Sequence, residues 1–202
     1  RESDRYTKML DNNFPFFLAE LWRQVNLPEP STVQLDIADY VANGPRRRGV
    51  KAFRGASKTW ITIAFIMYAL RRNPNERVLL SSESSTHSCK SLYMARSWMS
   101  AVDFLYNLCP IANTRQRDSA QALDVGPSRW DRVPSLSAIG IRGMLSGNRG
   151  SLIVGDDVET HENTLTREQR MRLRERLTEY ESILLPLDPN SEYDLSDIIY
   201  LG

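Results

Sequence analysis

The chain has 202 residues, 41% apolar and 25% charged, and its 26 basic side chains against 25 acidic ones leave a net charge of +1. A chain of this length supports one domain with a real core, burying roughly 70% of its extended surface. The balanced charge excludes a strongly basic nucleic-acid tail or an acidic disordered segment as the main theme, though not local basic faces. Arg outnumbers Lys by 22 to 4, which suits forked contacts to carboxylates and phosphates. Two cysteines, Cys89 and Cys109, make no disulfide framework and no metal-ligand cluster, which fits a reducing compartment. The longest apolar run, Trp60 to Leu70, is too short to span a membrane.

The first helix expected is Phe14 to Val25, with Phe17, Leu18, Leu21, Trp22 and Val25 on one side and Pro28 and Pro30 ending it. Ser31 or Thr32 caps a second helix, Val33 to Ala42, stopped by Asn43-Gly44-Pro45. A basic run, Arg46 to Arg48, precedes a brief strand, Gly49 to Phe53, and a small-residue loop, Arg54 to Ser57. Thr59 to Arg71 reads as a buried helix and Arg77 to Ser81 as a strand. A serine-rich stretch ends at His87, and Cys89 to Leu108 follows as one helix. Leu123 to Val125 and Ser135 to Ile141 alternate like strands, and Gly143 to Gly150 is a loop. Ser151 to Val154 is an apolar strand running into two aspartates. A charged amphipathic helix, Arg167 to Leu184, and a strand, Asp197 to Leu201, complete the pattern. A strand as the last element suggests a piece of something longer. Strands alternating with helices predict an α/β fold, a mainly parallel central sheet flanked by helices on both faces, with ligands at the carboxyl ends of its strands.

Two motifs fall at such ends. Ala52-Phe-Arg-Gly-Ala-Ser-Lys58-Thr59 lies between a short strand and a helix, where a phosphate loop belongs. Small residues let the backbone N–H groups curl toward a polyphosphate, and the helix N-terminus adds positive charge. Lys58 would reach the β and γ phosphates, and the Thr59 hydroxyl would hold Mg²⁺. Ala52 and Ser57 stand where the G-x-x-x-x-G-K-[ST] pattern has glycine, so an ordinary capped helix start with a solvated lysine is the competing reading. The second motif is Ser151-Leu-Ile-Val-Gly-Asp156-Asp157-Val-Glu159. Here Asp156 can hold Mg²⁺ through water, and Asp157 or Glu159 can orient the attacking water or take its proton. A solvated turn after a buried strand, or a nuclease carboxylate cluster, are its alternatives.

Both motifs, with Leu27-Pro-Glu-Pro, Val33-Gln34-Leu-Asp36, Gln116-Arg-Asp-Ser119, Asp124-Val-Gly-Pro127, Gly140 to Arg149 and Ile198-Ile-Tyr-Leu-Gly202, resemble the large terminase subunit of tailed bacteriophages. The look is closest to that of short-tailed podoviruses. The resemblance implies an ASCE-type P-loop NTPase, with 1–44 a helical segment holding an adenine-reading Gln34 and 45–202 the ATPase core. It implies ATP and Mg²⁺ as cofactors, held by Ala52, Phe53, Arg54, Gly55, Ala56, Ser57, Lys58 and Thr59, with Arg54 on the phosphates in cis. Asp156 is the implied metal residue, and Asp157 or else Glu159 the group acting on water. Arg149 is the implied arginine finger toward a neighbour's γ-phosphate, with Arg142 the competing candidate. The implied partners are double-stranded DNA, the portal protein of the procapsid, the small terminase subunit and further copies in a ring, expected to be a pentamer. The implied location is the host bacterial cytoplasm, transiently at the portal. Members also carry a C-terminal nuclease domain, which these residues are not expected to encode. A helicase of the same fold and a non-hydrolysing DNA or portal adaptor are the rival functions.

The remaining features read as structural. The serines before His87 suit a helix cap, with contact to DNA phosphate or sugar the lesser reading; Arg46 to Arg48 and Arg71-Arg72 suit a solvated face, with contact to DNA or a neighbouring subunit the lesser reading; and the four tryptophans suit the core. His87 and His161 have no ligand-like partners in sequence.

Overall fold

In the computed structural model, residues 2–143, 145, 147–187 and 195–202 are described. Helices α1 (Glu2–Asn12), α2 (Phe14–Gln24) and α3 (Thr32–Asn43) lead into strand β1 (Arg47–Val50) and helix α4 (Lys58–Arg72). Strand β2 (Val78–Ser82) is followed by α5 (Ser85–Ala101), a 3-10 turn (Asp103–Leu108), β3 (Ala122–Leu123) and β4 (Leu136–Gly140). Strand β5 (Leu152–Asp156), the single-turn α6 (His161–Thr164), α7 (Arg167–Ile183) and β6 (Asp197–Leu201) close the series.

The strands form one sheet in the order β1-β6-β5-β2-β4-β3. Only β3 runs antiparallel to its neighbour; the other pairs are parallel. Such a sheet must be covered on both faces, and the apolar runs supply both. Val78, Leu80, Leu152, Val154, Ile199 and Leu201 join a core with α2 to α5, while Leu79, Ile153 and Ile198 pack with Tyr180 and Ile183 of α7 on the other face. The mainly parallel α/β sheet with helices on both faces is therefore what the alternation predicts. The register aligns Val50, Leu201, Asp156, Ser82 and Gly140 in a row across the carboxyl edge.

The N-terminal helices share the main core. Phe14 meets Phe65 of α4 at 5.3 Å between ring centroids, and Arg71 Nε donates to Asp11 Oδ1 at 2.9 Å. Helix α1, absent from the sequence reading, is mostly polar and exposed, with Leu10 its buried residue. The expected long helix from Cys89 divides at Val102, whose extended backbone separates α5 from the 3-10 turn.

Strand β1 begins earlier than the apolar pattern indicates, and the basic run before it is not simply solvated. Arg48 is buried, with Nη1 donating to Asp197 Oδ2 at 2.7 Å and to Pro45 O at 3.0 Å. Arg47 forks onto Glu181 at 2.7 and 2.8 Å. A paired guanidinium thus takes an inward strand position that hydrophobicity alone assigns to an aliphatic residue. Removing its partner leaves a buried unpaired charge, so Asp197→Ala is expected to cost about 3–5 kcal/mol, whereas Arg48→Met with Asp197→Leu should be near neutral. Urea unfolding of the two variants beside the parent reads the difference.

The tryptophans divide. Trp22 and Trp98 are buried, but Trp60 and Trp130 are 38% and 77% exposed, contrary to the expectation that all four are core. Within the expected Gly143 to Gly150 loop, residues 144 and 146 lie outside the described residues. Among the described residues, no helix is long and apolar enough to cross a membrane.

Candidate functional site

The loop from β1 to α4 is fastened before it curls. Gly202 N–H donates to Val50 O at 3.0 Å, and Ala52 N–H donates to Gly202 O at 3.1 Å, so the chain follows β6 for two residues past β1. Then Gly55 (φ 94°) and Ser57 (φ 59°) turn the backbone through left-handed conformations. Gly55 does so without a Cβ penalty. Ser57 bears a cost of about 1–2 kcal/mol, and its Oγ is held by Gln34 Nε2 at 3.1 Å. Ala52 is not left-handed, so alanine in place of glycine is no obstacle there. Lys58 folds back into the curl, with Nζ donating to Ala52 O at 3.0 Å and Phe53 O at 3.5 Å. Thr59 follows on the first turn of the 15-residue α4.

Asp156 ends β5, separated from β1 by the single strand β6. Two strand spacings put Val50 and Asp156 about 10 Å apart, a gap that the loop bridges. Asp156 is 4% exposed, and its Oδ1 has no hydrogen-bond partner among the described residues. Burial pushes its carboxyl up to about 6, and the neighbouring Asp157 adds to the rise. The Thr59 hydroxyl, through a side-chain hydrogen bond, and the charges of Lys58 and His87 oppose it. The adjacent Lys58 and Thr59 therefore both act on Asp156, about a hundred residues away in sequence. Gly155 makes the approach possible: a Cβ there would come within 3.2 Å of Tyr200 Cδ1 and 3.3 Å of Val158 Cγ1.

Beside the loop, Trp22, Leu27, Pro28, Gln34, Ser57 and Trp60 line a cavity of about 310 Å³. The Gln34 Oε1 accepts from Ser31 N at 2.9 Å and from Ser31 Oγ at 3.1 Å. The Trp22 Nε1 is buried without a hydrogen-bond partner among the described residues.

No family model matches the chain. Over 194 residues it is 37% identical to a protein described as "Terminase, large subunit" from Enterobacteria phage T3. Over that stretch the chain is a homologue of the phage T3 terminase large subunit. The alignment covers 96% of the chain but 32% of the relative, so the chain spans about a third of the protein it matches. With that homology, a parallel sheet holding one strand between the loop strand and the acid strand is read as a P-loop NTPase fold.

In this terminase homologue the expected site residues separate into two groups. Lys58, Thr59 and Asp156 converge, with Gln34 joined to Ser57 alongside. Asp157 sits next to them in a left-handed conformation (φ 45°), exposed, its N–H donating to Leu201 O at 2.8 Å. Glu159, Phe53 and Arg54 are exposed, and Ala56 is buried under the loop. Arg142 is exposed just past β4, at the same carboxyl edge. Arg149 lies beyond the other end of β5, whose Leu152-to-Asp156 length alone is about 13 Å. It is not part of its own chain's cluster.

Two features escape sequence reading. Trp22 and Trp60 form walls of the cavity beside Gln34; the spacing of Ser57 and Trp60, one helical turn, is the available signal. Glu83 and His87 pair at 2.7 Å, just past the Ser82 that registers with Asp156. Their four-residue spacing at a helix start was readable, but not their distance from Asp156.

Proposed function

We propose that the chain is the ATP-hydrolysing part of a motor that moves double-stranded DNA into a procapsid. The observation that supports this most is the meeting of Lys58, Thr59 and Asp156, with one buried carboxylate oxygen left unpartnered. Hydroxyl and carboxylate are hard oxygen donors suited to Mg²⁺, which when bound supplies charge neutralisation on phosphate oxygens. Lys58 exchanges the loop carbonyls it now holds for the β and γ phosphates. Arg54, free on the exposed loop, closes over them in cis. Gln34 and the Trp22–Trp60 cavity take the adenine. Asp157, set by its left-handed backbone at the end of β5, orients the attacking water, with Glu159 second. The reaction is a direct in-line attack by water, so positioning and charge carry the catalysis.

Arg149 serves a neighbour. Its place at the far end of β5 removes it from its own site, and a finger in trans explains why a ring of subunits would hydrolyse faster than one. Portal, small terminase subunit and DNA are the partners in this reading. Steady-state ATP hydrolysis, with and without duplex DNA and empty portal-bearing shells, tests it. Stimulation by shells is expected. Hydrolysis indifferent to shells but coupled to strand unwinding would favour a helicase, and absence of ATP binding would favour an adaptor.

A further inference from the structure

On the α7 face of the sheet, the loop after β4 and helices α6 and α7 enclose a cavity of about 350 Å³. Arg142, Arg172 and Arg176 line it together with Asn163 and Gln169, and no Asp or Glu is among the described residues of its wall. Arg172 and Arg176 stand one turn apart on α7, about 6 Å along its axis. Their partners are carboxylates outside the wall: Glu168 for Arg172 at 2.5 Å, and Glu179 for Arg176 at 3.2 Å. Exposed pairs of this kind add little and are screened by salt, so both guanidiniums can turn to a stronger anion. Among the described residues, none bonds to the Arg142 side chain.

We propose that this cavity grips the phosphate backbone of duplex DNA, an inference that rests on the motor reading above. Forked guanidiniums match phosphate oxygens two at a time. Phosphate contacts hold a duplex without reading its sequence, as transport of a whole genome requires.

The cavity is also tied to the row of strand ends. Ile141, in its wall, donates its N–H to Ser82 O at 2.8 Å, and Ser82 registers with Asp156. Asn163, also in the wall, donates through Nδ2 to Val158 O at 2.8 Å, two residues past Asp156. These bonds link the cavity wall to the end of β5, where Asp156 is the proposed metal residue.

Binding of a random-sequence duplex by the 202-residue chain, measured across salt concentrations, tests this. Arg172→Ala with Arg176→Ala is expected to weaken binding about tenfold and to lower the salt slope by about two, near one per lost phosphate contact. Arg167→Ala with Arg174→Ala, equal in charge and outside the cavity, should change affinity less than about twofold. Arg142 is left intact because it is also a finger candidate. Should the double alanine variant lose its circular dichroism spectrum, Arg172→Lys with Arg176→Lys keeps the charge. It should retain the salt slope while weakening binding a few-fold, since lysine cannot fork. ATP turnover without DNA is expected to be the same in all these chains and is judged separately. Its absence would count against the motor reading, while DNA binding still decides the cavity. Equal weakening by both alanine pairs, no weakening by the cavity pair, or no duplex binding by the parent chain overturns the proposal. So does weakened attachment to shells with DNA affinity unchanged, which would assign the cavity to an acidic protein.

Discussion

Lys58→Ala is expected to lower ATP turnover by about a hundred- to a thousandfold, the loss typical of deleting one preorganised electrostatic contact to a reacting centre. The reason is geometric. Lys58 is the cation that the loop presents inside its own curl, 3.0 Å from Ala52 O, and phosphate oxygens would replace that carbonyl. Its removal should scarcely affect folding. The carbonyls it leaves belong to half-buried Ala52 and exposed Phe53, where water can take over. A melting temperature within a few degrees of the parent, beside lost turnover, is the expected pair of results. Unchanged turnover would show that the curl is an ordinary helix start.

Asp156→Asn should separate chemistry from stability in the opposite sense. The Asp156 carboxyl titrates near 6 in the folded chain against 3.8 for a free aspartate. The folded state thus holds its proton more tightly. Stability without nucleotide falls as pH rises from about 4 to about 6, and stays lower above that. The full linkage is about 3 kcal/mol, and relaxation around the site brings the expected loss to about 1–3 kcal/mol. Asparagine keeps the shape and drops the charge. The variant should therefore be more stable than the parent at pH 7.5 by that margin and equal to it near pH 4. Its turnover at pH 7.5 should fall by at least about a hundredfold. Urea midpoints at the two pH values check the first part and ATP hydrolysis the second. A variant less stable than the parent at pH 7.5 would mean that the Thr59 hydrogen bond to the carboxylate outweighs the cost of burying its charge.

Much of this was legible in the sequence because it depends on local pattern. Val78–Ser82, Leu152–Asp156 and Asp197–Leu201 are short runs buried on both faces, which announces a covered parallel sheet and marks where its strands end. Lys58 and Asp156 could be placed because each ends or begins such an element. What could not be read depends on distant partners. Arg48 is a strand residue only because Asp197, 149 positions later, neutralises it. Trp60 lies on a helix buried along most of its length, and only the cavity beside Gln34 explains its exposure. The arginine-lined cavity joins residues from β4's loop and α7 that no local periodicity connects.

The bond from Gln34 to Ser57 has a consequence for how an empty chain behaves. That amide already spends a donor on the loop and its oxygen on Ser31. A nucleobase read by this amide, as proposed above, would compete with Ser31 for the oxygen, and one that also took the Nε2 donor from Ser57 would free the one left-handed residue of the loop that is not glycine. In the proposed reading, filling the base cavity would loosen the phosphate loop, with the Gln34 side chain of α3 as the link between them.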